Sequence, residues 1–378
     1  MYGLAVVDVF VTTISLHGGG PVTNAMLRAA GRLLTARRPE RGDVTAGRPL
    51  ARAFARYSNL LLTLTLFLGW VTLVLAGATL MLVGGRLGAV ATSSGEVPAD
   101  GFELLYFAGV AITTLGFGDF VPDGTGWRYF TVALATTGLV VSSLGIAYVV
   151  NVVGASLQQR TLARRIHGLG ATPRALLAAG WDGDSFGGLD AALGDLAAEL
   201  VAHTQQHLSY PMIHYVRSDE RHDSLPANVA VLDEALSVLL VDVPRERQPS
   251  TSALVAARRA VTAYLMSIEE IYLDDEHADL PAWPSVDFLG RFWNLPPGRG
   301  LRDLDGDELL GLERRRRLLH AAVLSQGRTW DDAMSSGDSP DARLDVDLFA
   351  SAYAVPPAQS RLLSAVHRRE HDPADLPQ

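Results

Sequence analysis

The sequence predicts an all-α membrane protein with a mainly helical C-terminal domain, and three features carry that prediction. Residues 57–85 and 129–159 hold no charged side chain, runs of 29 and 31 residues, whereas a helix needs only about 20 apolar residues to span a bilayer core. Between them, residues 102–113 (FELLYFAGVAIT) are apolar but too short to span, which fits a re-entrant helix. Beyond residue 160 apolar side chains recur at helical spacing, with no strand–turn–strand pattern.

Composition narrows the function. The two uncharged runs, each longer than a bilayer span needs, exclude a wholly soluble protein. The absence of cysteine excludes disulfides, thiolate metal sites, iron–sulfur clusters and cysteine nucleophiles. All 32 basic residues are arginine, so Schiff-base lysines and a Walker-type phosphate loop are excluded too. Residues 1–158 carry a net charge of +2 and residues 159–378 one of −11, which makes the tail a poor nucleic-acid binder.

In chain order, residues 1–56 combine an N-terminal apolar segment with a basic juxtamembrane region. Residues 1–16 would reach about 24 Å as a helix, short of the roughly 30 Å of a hydrocarbon core. Three readings fit them: a spanning helix whose beginning is missing, a signal-peptide core without its basic region, or an interfacial segment. The first is preferred. Residues 22–57 carry eight arginines, with Arg28 and Arg32, and then Arg48, Arg52 and Arg56, spaced by four. That spacing predicts an amphipathic helix on the membrane surface. A voltage sensor would instead set its arginines inside a span at every third position.

Residues 57–158 form the membrane module, with spans at 57–84 and 129–155 joined through a small-residue loop (85–101) and a pore helix at 103–113. Arginines cluster before the first span and at Arg160, Arg164 and Arg165 after the second. The stretch between the spans carries Arg86 alone against Glu96, Asp100, Glu103, Asp119 and Asp123. The positive-inside rule therefore predicts a multi-pass protein of the plasma (inner) membrane with a cytoplasmic C-terminal domain, residues 159–378. In that domain helices are expected at Leu189–Leu208, from Pro226, at Ser250–Leu273 and at Asp307–Ser325.

The segment Thr113–Pro122 (TTLGFGDFVP) carries the function. Non-helical backbone at membrane depth survives only where it is buried in protein or lines a water-filled path. Backbone carbonyls can replace an ion's hydration shell without full charges that would trap it. A row of such carbonyls needs unusual dihedrals, and Gly116 and Gly118 alternate with Leu115 and Phe117 accordingly. Thr114 can add its hydroxyl as the innermost ligand.

This segment resembles the selectivity filter of the potassium channel family, matching its Thr-x-Gly-(Tyr/Phe)-Gly-Asp signature at Thr114, Leu115, Gly116, Phe117, Gly118 and Asp119. The resemblance covers about residues 57–157 and implies a two-span prokaryotic-type pore of outer helix, pore helix, filter and inner helix. It implies K+ ligated at Thr114, Leu115, Gly116 and Phe117, with Gly118 completing the filter and Asp119 at its mouth. Tyr106 and Phe107 stand where the family often has aromatics that brace the filter, beside Thr113 at the end of the pore helix. Gly138 falls at the family's hinge glycine, and Gly145 offers a second bend. Ser142, Ser143 and Asn151 are the polar residues of the inner helix. Leu115 departs from the usual Val or Ile and Phe117 from the commoner Tyr. Val110 stands where some members have a carboxylate that pairs with the filter aspartate, so Asp119 must find another partner or water.

One chain supplies one filter strand, so a homotetramer is expected, in contact with potassium ions and lipid. The expected function is passive K+ conduction, not catalysis, with no cofactor beyond the permeant ion. The alternatives are a weakly selective cation channel, or a membrane sensor or scaffold with a vestigial pore. The C-terminal domain would take an unidentified ligand or partner. His203 and His207, four apart, are compatible with a metal pair but read more simply as ordinary histidines, as do His214 and His222. The aspartate-rich loops at 182–187 and 303–307 lack calcium-loop ligands at key positions. The acidic run of Glu269, Glu270, Asp274, Asp275 and Glu276 reads as a solvated face.

Overall fold

Two sets of helices are strung on one long helix. The structure, a computed structural model, describes residues 1–14, 19–26, 29, 49–85, 89–94, 99–210, 213, 218, 220–272, 282–284, 286–296 and 298–335. Residues 30–48 of the expected juxtamembrane helix, His214, and Asp274 to Glu276 lie outside the described residues.

Helix α1 (Tyr2–Ile14) is short and apolar and packs against the two long helices that follow, α2 (Pro49–Gly84) and α4 (Thr125–Leu169). Its one acid, Asp8, is fully buried. The carboxylate accepts hydrogen bonds from Val22 N (2.7 Å), Thr23 N, Thr23 Oγ1 (2.7 Å) and Trp70 Nε1 (2.9 Å). Those donors replace the water that a buried carboxylate would otherwise lack. At the other end of α1, the Tyr2 hydroxyl donates to Thr137 Oγ1 on α4 at 2.6 Å.

Helix α2 runs unbroken from Pro49. Residue 57, where the surface helix was expected to give way to the span, lies inside this helix. Nothing at residues 56–58 can break the helix, since neither Gly nor Pro occurs there. The loop expected at 85–101 also needs correction. It contains β1 (Val90–Thr92), which pairs antiparallel with β2 (Phe120–Pro122), just past the filter motif. The re-entrant helix α3 (Gly101–Ile112) starts with a capping box. Asp100 accepts from Phe102 N and Glu103 N, and Glu103 accepts from Asp100 N. Two acids of the stretch between the spans thus also fix where this helix begins.

Helix α4 spans 45 residues, about 67 Å at 1.5 Å per residue, twice what a bilayer core needs. The helix thus continues past residue 155, where the inner span was expected to end, and the expected domain boundary at 158 falls inside it. From Leu134 through Gly138, Val141, Gly145, Tyr148 and Val152 to Ile166, its buried positions step alternately by four and three. One continuous seam serves both sets of helices.

Below the membrane module the chain forms α5 (Pro173–Gly180), α6 (Asp190–Ser209), α7 (Leu225–Val241), α8 (Thr251–Tyr272), α9 (Asp287–Trp293), α10 (Gly306–Ser325) and α11 (Trp330–Met334). Every residue of α7 from Leu225 to Leu239 is buried, so this is the central helix. It carries Asp233, paired with Arg258 (2.7 Å) and Arg315 (2.5 Å), and Glu234, paired with Arg316 (2.6 Å). Burial still holds the Glu234 carboxyl above its usual range despite Arg316. The rejected calcium loops are local caps. Asp182 accepts from Asp184 N and Ser185 N, and Asp305 caps α10 in a box with Glu308.

Candidate functional site

The site begins where α3 ends. Thr114 N donates to Ala111 O (3.1 Å) and Leu115 N to Val110 O (3.0 Å). With Thr114 at φ +58°, these bonds form a Schellman cap, whose left-handed position usually belongs to glycine. A β-branched residue there carries strain of about 1–3 kcal/mol. Strain of this kind collects at functional positions, and a hydroxyl is retained here where glycine would be relaxed.

The unusual dihedrals continue past the cap. Gly116 sits at φ +61° and Gly118 at φ +78°, while Leu115 and Phe117 between them do not have positive φ. Handedness thus alternates over five residues, and such alternation turns successive peptide carbonyls to a common side. No atom lies within 4 Å of a Cβ built at Gly116 or Gly118, so dihedral angle and not crowding demands glycine. Among the described residues, no N–H or side chain donates to the carbonyls of Thr114 to Gly118. Residues 113–119 are all exposed in the single chain, with Leu115 at 60% and Phe117 at 66%.

The surroundings anchor this strand. Phe107, Val110, Ala111 and Ile112 on α3 are buried against the module. Phe107 lies in its core, while Tyr106 faces the filter's far end. There the Tyr106 hydroxyl lies within electrostatic reach of the Asp119 carboxylate, and the ring meets Phe120 edge-on at 6.1 Å. Asp119 thus has a pore-helix partner one turn before Val110, a partner that the sequence did not single out. Ser93 N donates to Asp119 O at 2.9 Å, tying the strand's end to the β1 side of the mouth. Thr113 turns its hydroxyl back to Gly109 O (2.7 Å).

Gly138 and Gly145 are contact points on an unbroken helix. A Cβ at Gly138 would lie 2.0 Å from Ile112 O, so the inner helix bears directly on the end of the pore helix. A Cβ at Gly145 would meet the Phe67 ring at 2.4 Å. The outward face of α4 presents Val132, Thr136, Leu139, Ser143, Ile146 and Val150, again stepping by four and three, with Asn151 exposed beside it. Ser142 is half-buried.

His203 and His207 are both buried on α6 with ring centroids 6.3 Å apart, and His222 lies near His167. Among the described residues, no three His, Asp or Glu side chains group as metal ligands.

The module thus joins two helices long and apolar enough to cross a membrane, a short apolar helix between them and a strand of alternating handedness. Residues 60–155 match the family model described as "Ion channel", so this segment is an ion-channel domain and the chain a membrane protein. The matched family is not one of enzymes. The chain is 27% identical over 338 residues to the "Uncharacterized membrane protein YdjJ" of Bacillus subtilis (strain 168), a match covering 88% of this chain and 95% of the relative. A match of that length also takes in most of the helical domain beyond the pore. No solved structure matches the chain.

Proposed function

We propose that the chain is the subunit of a potassium-selective channel in which four copies bring their filter strands to a common axis. The observation that carries this reading is the run of unpaired carbonyls from Thr114 to Gly118, launched by a strained threonine cap. A dehydrated monovalent cation needs several neutral oxygens, and one strand offers only one oxygen at each level. Four symmetry-related copies supply the rest and cover Leu115 and Phe117. The outward stripe of α4 would then face neighbouring copies and the ion path. The C-terminal end of α3 directs its negative dipole end toward the path. Charge placement supports a plasma (inner) membrane location with α5 to α11 in the cytoplasm. Gly138 and Gly145 are the positions where α4 could bend to gate.

The test is flux into vesicles containing purified protein. Potassium uptake that barium blocks and that exceeds sodium uptake by at least about tenfold supports the proposal. Equal sodium flux would identify a weakly selective cation channel. Absence of flux from an intact tetramer would identify a sensor or scaffold with a vestigial pore.

A further inference from the structure

Helix α6 runs back along the lower half of α4. The Arg165–Glu199 ion pair and the Gln158–Gln206 amide contact lie about two turns apart on both helices, so α6 points its C-terminal end at the membrane module. Tyr210, the residue that caps this end, reaches the module itself. Its ring meets that of Tyr148 on α4 edge-on, with centroids 5.7 Å apart. Among the described residues, Tyr210 is the one side chain of the C-terminal domain that packs against the buried core of the module.

The line of contacts continues beyond Tyr148. That ring is buried and meets the fully buried Trp70 of α2 at 5.8 Å, again edge-on. The Trp70 indole donates its N–H to Asp8 of α1 at 2.9 Å. Asp8 in turn accepts from Val22 N and Thr23 N, at the start of the helical stretch over residues 21–26. Four elements far apart in sequence thus share one line of side chains: Tyr210, Tyr148, Trp70 and Asp8. Trp70 is gripped at both ends, by the carboxylate on its N–H and by Tyr148 on its ring. Interiors packed to crystal density transmit strain rather than absorb it, and coupling between distant sites travels through contiguous packed and hydrogen-bonded side chains of this kind.

We propose that Tyr210 is a positioning residue: it docks the C-terminal domain into the membrane module and, through Tyr148 and Trp70, couples that domain to α1. The inner helix is thereby held from two sides at one level, by Tyr210 and by Trp70. Tyr148 stands about one turn below Gly145 and about three below Gly138. A bend of α4 at either glycine would carry Tyr148 away from a ring partner. A docked Tyr210 therefore favours the straight helix, and withdrawal of α6 frees it. That consequence for conduction rests on the pore reading above, whereas the coupling itself does not.

Coupling of this kind is reciprocal, and amide hydrogen exchange of the full-length protein in lipid nanodiscs reads it from both ends. Tyr210→Ala should speed exchange of the Val22 and Thr23 amides, at the far end of the line, by at least about 5-fold. Asp8→Asn should speed exchange in the last turn of α6 by a similar factor. Tyr210→Phe keeps the ring pair and should leave both ends at the parent rates. Amides of α7 are the reference for general loosening. Tyr210→Leu keeps apolar bulk and should give the alanine result with α7 unchanged. The coupling is overturned if Tyr210→Ala and Tyr210→Leu act on α6 alone, or if the effect of Asp8→Asn stops short of α6. A rise that α7 shares in the leucine variant marks general loosening and overturns it as well. Coupled exchange in a protein that carries no flux supports the coupling and overturns the pore reading alone.

Discussion

The membrane module and the C-terminal domain solve opposite problems with the same helices. In the module, Leu139, Ile146 and Val150 point outward while a run of backbone carbonyls finds no donor among the described residues. In the C-terminal domain the apolar side chains close around α7, and even its acids are paired with arginine. Their most buried carboxylates differ in the same way. Among the described residues, the donors to Asp8 are all neutral, whereas Asp233 sits between Arg258 and Arg315.

The largest expected effect tests the glycine-spaced strand of the module. Gly116→Ala or Gly118→Ala forces a Cβ into left-handed backbone at about 1–2 kcal/mol per strand. Either should reduce potassium flux by more than about 100-fold while leaving the denaturation midpoint of the C-terminal domain unchanged; retained flux would break the contrast. Next, Asp233→Asn leaves the half-buried Arg258 and Arg315 without their counter-charge. It should destabilise the C-terminal domain by about 3–5 kcal/mol in urea titration, and a loss below about 1 kcal/mol would mean that water reaches the pair. Gly138→Ala should cost about 1–3 kcal/mol of assembly stability, because the obstacle is the backbone of Ile112. Gly145→Ala should cost less, since the Phe67 ring can move, and comparing the two melting temperatures sharpens the role of each glycine. The smallest effect is expected for Tyr106→Phe. It removes the hydroxyl near Asp119, should cost about 1 kcal/mol, and is best read as a lowered melting temperature of the potassium-bound protein.

Much of the module was legible because bilayer physics leaves few options. Charge-free runs of that length have to be helices, and a glycine-spaced segment between them has to be satisfied by something other than its own helix. The partner of Asp119 was not legible. Tyr106 and Asp119 are 13 residues apart, and only the return of the strand along α3 brings them together. The capping box at Asp100 and Glu103 could have been read, since D-x-x-E before an apolar run is a helix-start signal. The strand at Val90–Thr92 could not, because three residues of small side chains carry no period.

Sequence alone determined where the two helices long and apolar enough to cross a membrane lie, where four helices of the C-terminal domain begin, and where a glycine-spaced segment leaves the helix between them. These are local properties of hydrophobicity, capping and glycine dihedral freedom. Tertiary structure alone decided that α4 continues as a single rod into the C-terminal domain and that α6 doubles back to bury His203 and His207 against Gln159. It also decided that Gly138 is the bearing surface for the pore helix. Each of these depends on contacts between residues far apart in the chain, and such contacts form only when whole helices pack.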